Sequence, residues 1–317
     1  MRKLILSISA ILVLFSCQSE DKTNSSNATA SKRICASQEV LERQLQENPD
    51  LALKMSQIEA FTENSILQGR LVNGKIEIPV VVNVLYRTAA ENISLTQIQS
   101  QINVLNADFN AANSDYNLVP ALFSGVKSNV GISFVLDQVI RKSTIKTSWG
   151  TRDNMKKSTK GGINPTSPTT KLNLWVCTIG GGILGYAQFP GGSSATDGVV
   201  IDPLYVGVTS NSGSSYPYNL GRTATHEVGH WLNLRHIWGD ATCGNDLVAD
   251  TPSHNAANFG VPTYPHYSTC SGTPVEMTMN YMDYTDDRGM YMFTTGQKAR
   301  MDAIFVSGGA RNSFAQP

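Results

Sequence analysis

The run His226-Glu227-Val228-Gly229-His230, followed six residues later by His236, constrains the fold of this chain more than any other segment. Two histidines four apart project from one face of an α-helix, so both imidazoles can reach one metal ion. An unbroken helix would turn about 600° between His230 and His236 and carry the third imidazole away. The helix must therefore end and the chain reverse. Asn233 stands at that point, and asparagine is second only to glycine in the left-handed conformation that such a turn needs.

The chemistry of this pattern is that of a catalytic zinc site. Zn²⁺ binds imidazole nitrogen, and catalytic sites use three protein ligands with a fourth position open to water. Glu227 follows the first ligand and can act as the general base that takes a proton from the attacking water. Two alternatives remain at this point. One is a zinc amidase or deacetylase, and the other is a surface-anchored binding protein with a structural zinc, although structural sites are usually closed and four-coordinate.

The N-terminus is typical of an exported bacterial protein. Arg2 and Lys3 precede an apolar run that ends Leu14-Phe15-Ser16-Cys17, so residues 1–16 are predicted to be a signal peptide. The ending resembles a lipobox, which predicts lipid on Cys17 and a lipidated tether over residues 17–34. An ordinary signal peptide that happens to contain a cysteine is the alternative. We expect a cell-envelope lipoprotein, on the outer membrane or the surface, or a protein secreted after propeptide removal.

Composition limits the possible partners. Hydrophobic residues make up 41% of the chain, enough for a proper core, while charged residues are only 16% and the formal net charge is zero. No nucleic-acid footprint is evident, and membrane contact is expected only through the N-terminal lipid. A monomer is expected.

Cys243 and Cys270 lie in a loop-rich segment where an exported protein can use a disulfide, and Cys177 is expected to be a buried free thiol.

Hydrophobic periodicity predicts an α/β (α+β) fold with a mixed sheet. Ser94 is a plausible N-cap for the helix that ends at Phe109. The predicted helices cover 38–46, 51–61, 94–109, 219–232 and 295–305, and the predicted strands cover 76–86, 131–139, 171–178, 183–189 and 198–202. The segment from 235 to 278 has little periodicity and is predicted to be loop-rich.

The zinc-binding pattern and a second run, Asn280-Tyr281-Met282-Asp283-Tyr284-Thr285-Asp286-Asp287, together resemble the pappalysin family of metzincin zinc metallopeptidases, and in particular its ulilysin-like members. Further matches are Thr223-Ala224-Thr225, Asp250-Thr251-Pro252 and Phe293-Thr294-Thr295-Gly296-Gln297. The resemblance spans roughly residues 76–310. It implies a catalytic domain over 76–317, with a twisted sheet and active-site helix in the upper part. Beneath them it implies a loop-rich lower part with a C-terminal helix.

The resemblance also implies residue roles in a zinc-dependent endopeptidase that acts on protein or peptide substrates. His226, His230 and His236 would bind zinc, and Glu227 would be the catalytic base. The other implied roles are a Met-turn at Met282, catalytic assistance by Tyr284, a Cys243–Cys270 disulfide and calcium binding by Asp246, Val248 and Thr251. Two departures from the family are Gly289, where a cysteine often stands, and Asn233 in place of glycine.

An inhibitory propeptide is a further implication of the resemblance. Lys32-Arg33-Ile34-Cys35 is similar to the Arg-x-Cys element of family propeptides, so residues 35–75 are predicted to be a propeptide whose Cys35 binds the zinc in the latent form. Arg70 and Lys75 are candidate activation sites. We expect substrate to add a strand to the exposed sheet edge, with 171–178 and 183–189 as candidate edges. Asp286 and Asp287 are candidates to attract a basic side chain on the primed side.

Overall fold

A five-stranded sheet forms the centre of the structure, in the order β3-β1-β4-β6-β5. The computed structural model describes residues 32–69, 76–209 and 215–314, so the predictions for Cys17, Arg70 and Lys75 lie outside it. The strands are β1 (Ile76–Tyr86), β2 (Lys127–Ser128), β3 (Ile132–Ser143), β4 (Leu172–Val176), β5 (Gly185–Ala187), β6 (Val199–Ile201) and β7 (Phe293–Thr294). All pairs in the large sheet are parallel except β5 with β6. The predicted mixed α/β fold is confirmed.

Both faces of the sheet are buried, which explains the almost continuous apolar run of β1. Val80, Val82 and Val84 face the larger core, which also holds the apolar residues of the helix that carries His226 and His230. Leu85 lies on the opposite face with Trp175, under a smaller cluster. Because side chains alternate along a strand, each strand contributes to both cores.

The described residues contain five α-helices: α1 (Ser37–Glu47), α2 (Pro49–Leu67), α3 (Leu95–Phe109), α4 (Arg222–Trp231) and α5 (Thr295–Ala303). Short 3-10 helices occur at Tyr116–Leu118, Ala121–Phe123, Asn154–Lys156, Ser158–Lys160, Gly180–Gly182, Ser194–Thr196, Pro203–Tyr205, Asp287–Gly289 and Asn312–Phe314. Ser94 caps α3 by accepting a hydrogen bond from the Gln97 amide, as the sequence predicted. Within the described residues, no helix has the length and apolarity needed to cross a membrane.

The two edge strands of the sheet are β3 and β5, and this corrects one of the two predictions. The segment 183–189 contains β5, which pairs only with β6 inside the sheet. The segment 171–178 contains β4, which lies between β1 and β6 and has no free edge. An apolar run of five residues fits a central strand or an edge equally well, so sequence alone could not separate them.

The lower part is loop-rich, as predicted. Residues 232–286 form isolated bridges but no helix or regular strand. Cys243 and Cys270 are bonded within this part. Below it, α5 begins with a capping box in which Thr294 and Gln297 satisfy each other's backbone amides.

Candidate active site

Helix α4 carries the first two histidines on one face, and the chain then reverses. Asn233 has φ 75°, and the Leu234 amide donates to the Gly229 carbonyl at 2.9 Å. This turn brings His236 back to the helix. The Nε2 atom of His230 lies 3.2 Å from that of His226 and 3.1 Å from that of His236.

The hydrogen bonds of the three imidazoles leave one unprotonated nitrogen on each ring, and these three nitrogens face one another. His226 Nδ1 lies 2.7 Å from the Tyr281 carbonyl and His230 Nδ1 lies 2.8 Å from the Leu234 carbonyl. A carbonyl can only accept, so each Nδ1 carries the proton and each Nε2 offers a lone pair. The side-chain carboxylate of Asp240 accepts from His236 Nδ1, so the Nε2 of this ring also offers a lone pair.

A zinc ion fits this donor set. Four ligands at about 2.0–2.1 Å in a tetrahedron stand about 3.3 Å apart, close to the spacing of the Nε2 atoms. Burial lowers the pKa of His226 well below its usual value and that of His230 to about 3, so protonation does not supply the missing positive charge. Lone pairs that converge in a buried site repel one another unless a cation lies between them.

Glu227 lies beside the three imidazoles and is fully buried. Burial raises the pKa of its carboxyl to about 7. Its Oε2 atom accepts from Ser37 Oγ at 2.8 Å and from Cys35 Sγ at 3.2 Å. Ser37 in turn accepts from the Ala187 amide of β5 at 2.8 Å.

Met282, the predicted Met-turn residue, packs against α4 at Gly229. It is fully buried, and its carbonyl accepts from the Ile237 amide at 3.1 Å. A Cβ atom at Gly229 would lie 2.5 Å from the Met282 sulfur, so the helix can rest on this methionine only because residue 229 is glycine. The contact between Gly229 and Met282 sets the distance between α4 and the loop-rich lower part of the structure.

Tyr284 closes one side of the site. Its ring lies 5.6 Å from that of His226 and 5.0 Å from that of His236, centroid to centroid. Its hydroxyl donates to the Cys35 carbonyl at 3.2 Å. Burial raises the pKa of this phenol well above its usual range, so it stays a donor.

The segment around Cys35 fills the cleft along β5. The Ala36 amide donates to the Gly185 carbonyl at 3.1 Å, and the Leu184 amide donates to the Ile34 carbonyl at 2.9 Å, in a parallel bridge. The Cys35 sulfur and one nitrogen from each of His226, His230 and His236 all lie within 4.8 Å of one another. The segment is therefore placed to add a fourth ligand.

Arg33 occupies a buried pocket at one end of the cleft, although the sequence placed it in the tether. Its guanidinium lies 2.6 Å from Asp287 Oδ1, 3.2 Å from Thr223 Oγ1 and 3.3 Å from the Thr285 carbonyl. It also lies over the Tyr218 ring at 4.8 Å. Both partners of the ion pair are about 1% exposed or less. The docked segment thus begins before residue 35.

The predicted calcium ligands lie together away from the cleft. Thr251 Oγ1 lies 2.9 Å from both Asp246 carboxylate oxygens and 2.9 Å from the Val248 carbonyl. Burial raises the pKa of Asp246 to about 6. Cys177 is a buried free thiol, as predicted, and Cys35 is the other free cysteine among the described residues.

Comparison with known proteins identifies the family of this chain. The Peptidase_M43 family model, described as pregnancy-associated plasma protein-A, matches residues 180–306. An extracellular metalloprotease of Pyricularia oryzae is 36% identical over 222 residues, covering 69% of this chain and 70% of its own. A second, from Podospora anserina, is 32% identical over 288 residues, covering 86% and 89%.

Two solved structures from Tannerella forsythia are similar over nearly their full length. Mature mirolysin in complex with a cleaved peptide is 43% identical, with a TM-score of 0.73 over 77% of this chain and 97% of its own. A promirolysin mutant is 40% identical, with a TM-score of 0.80 over 89% and 97%.

The fold and these similarities define a metalloendopeptidase. The chain belongs to the pappalysin family of metallopeptidases, which confirms the resemblance drawn from its motifs. Membership of a peptidase family sets aside the two alternatives, a zinc amidase or deacetylase and a surface-anchored binding protein with a structural zinc.

Proposed function

We propose that this protein is a zinc-dependent endopeptidase made as an exported zymogen, with His226, His230 and His236 as the zinc ligands and Glu227 as the general base. The observation that carries the proposal is the convergence of three bare imidazole nitrogens beside a buried carboxylate. Bound zinc would polarise the scissile carbonyl and lower the pKa of its water. The residues around it supply the remaining steps.

Glu227 is suited to move a proton in both directions. A pKa of about 7 lets the carboxyl take a proton from the nucleophilic water and return it to the leaving amine near neutral pH. Tyr284 would donate its hydroxyl to the carbonyl oxygen as that oxygen gains negative charge. Its hydrogen bond to the Cys35 carbonyl shows that the hydroxyl can reach a backbone carbonyl lying in the cleft.

The pocket that holds Arg33 indicates a preference for a basic side chain, on the primed side of the cleft. Asp287 provides the charge, while Thr223 and the Thr285 carbonyl complete the hydrogen bonds. A planar guanidinium with several donors matches this arrangement better than an ammonium does. Of the two predicted acidic residues, Asp287 is the one that contacts Arg33.

The most direct test of the function is digestion of a denatured protein, followed by mass spectrometry. With the processed enzyme we expect internal cleavages that a zinc chelator abolishes and added Zn²⁺ restores. Cleavage that persists in chelator, or an absence of cleavage by the zinc-loaded enzyme, would rule the proposal out.

Residues 35–75 would form the propeptide, with a two-part latch at its start. Cys35 is placed to fill the open metal position, and Ser37 hydrogen-bonds to the general base. Helices α1 and α2 follow, and Glu59 of α2 lies 2.9 Å from the buried guanidinium of Arg300. Release of the propeptide would free the metal position and Glu227 together.

Removing either part of the latch is expected to raise the activity of the intact chain. A hydrogen bond to a buried charged group contributes about 1.5–3 kcal/mol. Ser37→Ala should therefore raise the population of molecules with an undocked segment and an open active site about 10- to 100-fold. Cys35→Ala should have at least as large an effect. Initial rates on a short peptide, with chain integrity checked by mass spectrometry, measure this. Ser56→Ala, on the exposed side of α2, is the matched control and should leave latency unchanged.

Equal latency in the wild type, Cys35→Ala and Ser37→Ala proteins would contradict the latch. The same result with an active processed enzyme would leave the catalytic proposal intact.

Calcium binding by Asp246, Val248 and Thr251 is a separate proposal. A carboxylate, a carbonyl and a hydroxyl oxygen suit a hard cation, and the raised pKa of Asp246 reflects a buried negative charge that a cation would stabilise. Added Ca²⁺ should raise the melting temperature of the wild type but not of Asp246→Asn. An equal response of both proteins would argue against the site.

Export and anchoring rest on the sequence and on the relatives, which are named extracellular metalloproteases. We propose that residues 1–16 are removed, that Cys17 is lipidated and that the tether leads to the docked segment at Arg33. Mass spectrometry of the N-terminal peptide from membranes tests this. An unmodified Cys17 would refute the anchor.

A further inference from the structure

The third metal-binding histidine is held differently from the other two. His226 and His230 lie on α4, and backbone carbonyls accept their Nδ1 protons. His236 lies beyond the end of the helix, in the loop-rich part. Its Nδ1 lies 2.5 Å from Oδ1 of Asp240, a side chain four residues further on. It is the one ligand of the three with a carboxylate behind it.

The backbone adopts an unfavourable conformation to place that carboxylate. Gly239 has φ 63° and Asp240 has φ 55°, both in the left-handed region. The Gly239 amide donates to the His236 carbonyl at 2.8 Å, which closes a turn on the ligand itself. Glycine adopts this conformation without cost, whereas aspartate only tolerates it. Glycine would therefore be the favoured residue at position 240 unless a side chain there made a stabilising contact. Asp240 makes such a contact with His236.

The ring of His236 is also fixed across its plane. The Trp238 indole stacks on the imidazole with centroids 4.3 Å apart and planes 9° apart. Stacking stops the ring from tilting, and the hydrogen bond in the ring plane stops it from rotating about its axis. Together these contacts aim Nε2 at the other two imidazoles although no helix supports residue 236.

We infer that Asp240 is a positioning residue that orients His236 and strengthens its binding to zinc. A carboxylate behind a metal-binding imidazole fixes the proton on Nδ1 and makes Nε2 a better donor. The same strengthening is weaker for His226 and His230, because a neutral backbone carbonyl accepts from the Nδ1 of each ring. The inference rests on the proposed zinc site.

The test compares zinc affinities of full-length proteins by competition with a chelator. Asp240→Gly removes the carboxylate but accepts the left-handed backbone, and Asp240→Asn keeps an acceptor without the charge. We expect Asp240→Gly to weaken zinc binding about 10- to 100-fold, with Asp240→Asn in between. Asp137→Ala is the control, since Asp137 is a similarly exposed carboxylate on the edge strand β3, and its partner is Lys171. It should bind zinc as the wild type does.

Two further readouts separate positioning from a structural role. The melting temperature of the metal-free proteins should be unchanged by Asp240→Gly, while the visible spectrum of the Co²⁺-loaded form should shift. Zinc affinity within twofold of the wild type, or an equal loss of stability with and without metal, would overturn the inference. Failure of the wild type itself to bind zinc would instead overturn the proposed function.

Discussion

Replacing Glu227 with glutamine is expected to lower kcat/KM for peptide hydrolysis by about 10²- to 10⁴-fold, the range that general base catalysis contributes. Glutamine keeps the size of the side chain and an oxygen that Ser37 can donate to, so the fold and the latch should survive. It cannot take a proton from water. The three imidazoles are untouched, and the variant should retain zinc.

The measurement is the initial rate on a peptide substrate together with the zinc content of the same sample. The propeptide should be removed from every variant by the same added protease, so that the rates compare processed enzymes. Glu77→Gln, at an exposed position in β1, should match the wild type. Activity of Glu227→Gln within tenfold of the wild type, at equal zinc content, would mean that another group is the base.

Replacing Asp287 with asparagine is expected to remove the preference for arginine. Losing one partner of a buried, hydrogen-bonded ion pair costs about 2–5 kcal/mol, which corresponds to about 30- to 5,000-fold in kcat/KM for arginine substrates. Asp287 also accepts from the Leu220 and Arg222 amides through Oδ2, so the variant can lose some overall activity. The informative quantity is therefore a ratio of two substrates.

Matched peptides with arginine or citrulline at the recognised position provide that ratio. Citrulline has nearly the same shape but no charge. The arginine preference should collapse in Asp287→Asn and persist in Asp286→Asn, because Asp286 lies nearest Arg288, at 3.8 Å, and not the docked arginine. An unchanged ratio of arginine to citrulline cleavage in Asp287→Asn would show that the pocket that holds Arg33 does not bind a substrate side chain.

Local geometry explains which parts of the site the sequence could predict. The spacing of His226 and His230 and the need for a left-handed residue near Asn233 follow from helix geometry alone. Strand β1 was predicted with its observed bounds because its run is rich in β-branched residues. These features depend on neighbours in the chain.

Contacts between distant segments could not be predicted in the same way. Arg33 and Asp287 are 254 residues apart, and no periodic pattern connects them. Strands β2 and β7 have two residues each, too few to show an alternation. Ser37 and Asp240 were missed for a similar reason, since a lone serine or aspartate has no distinctive pattern until the fold brings it to a ligand or to the base.

The most direct measurement of the central claim is zinc K-edge X-ray absorption of the intact zymogen. Three imidazole nitrogens at about 2.0–2.1 Å and one sulfur at about 2.3 Å are expected, with the sulfur replaced by oxygen after the propeptide is removed. A zymogen without sulfur in the first shell would contradict the role of Cys35. Fewer than three imidazoles around the metal would contradict the account of the active site as a whole.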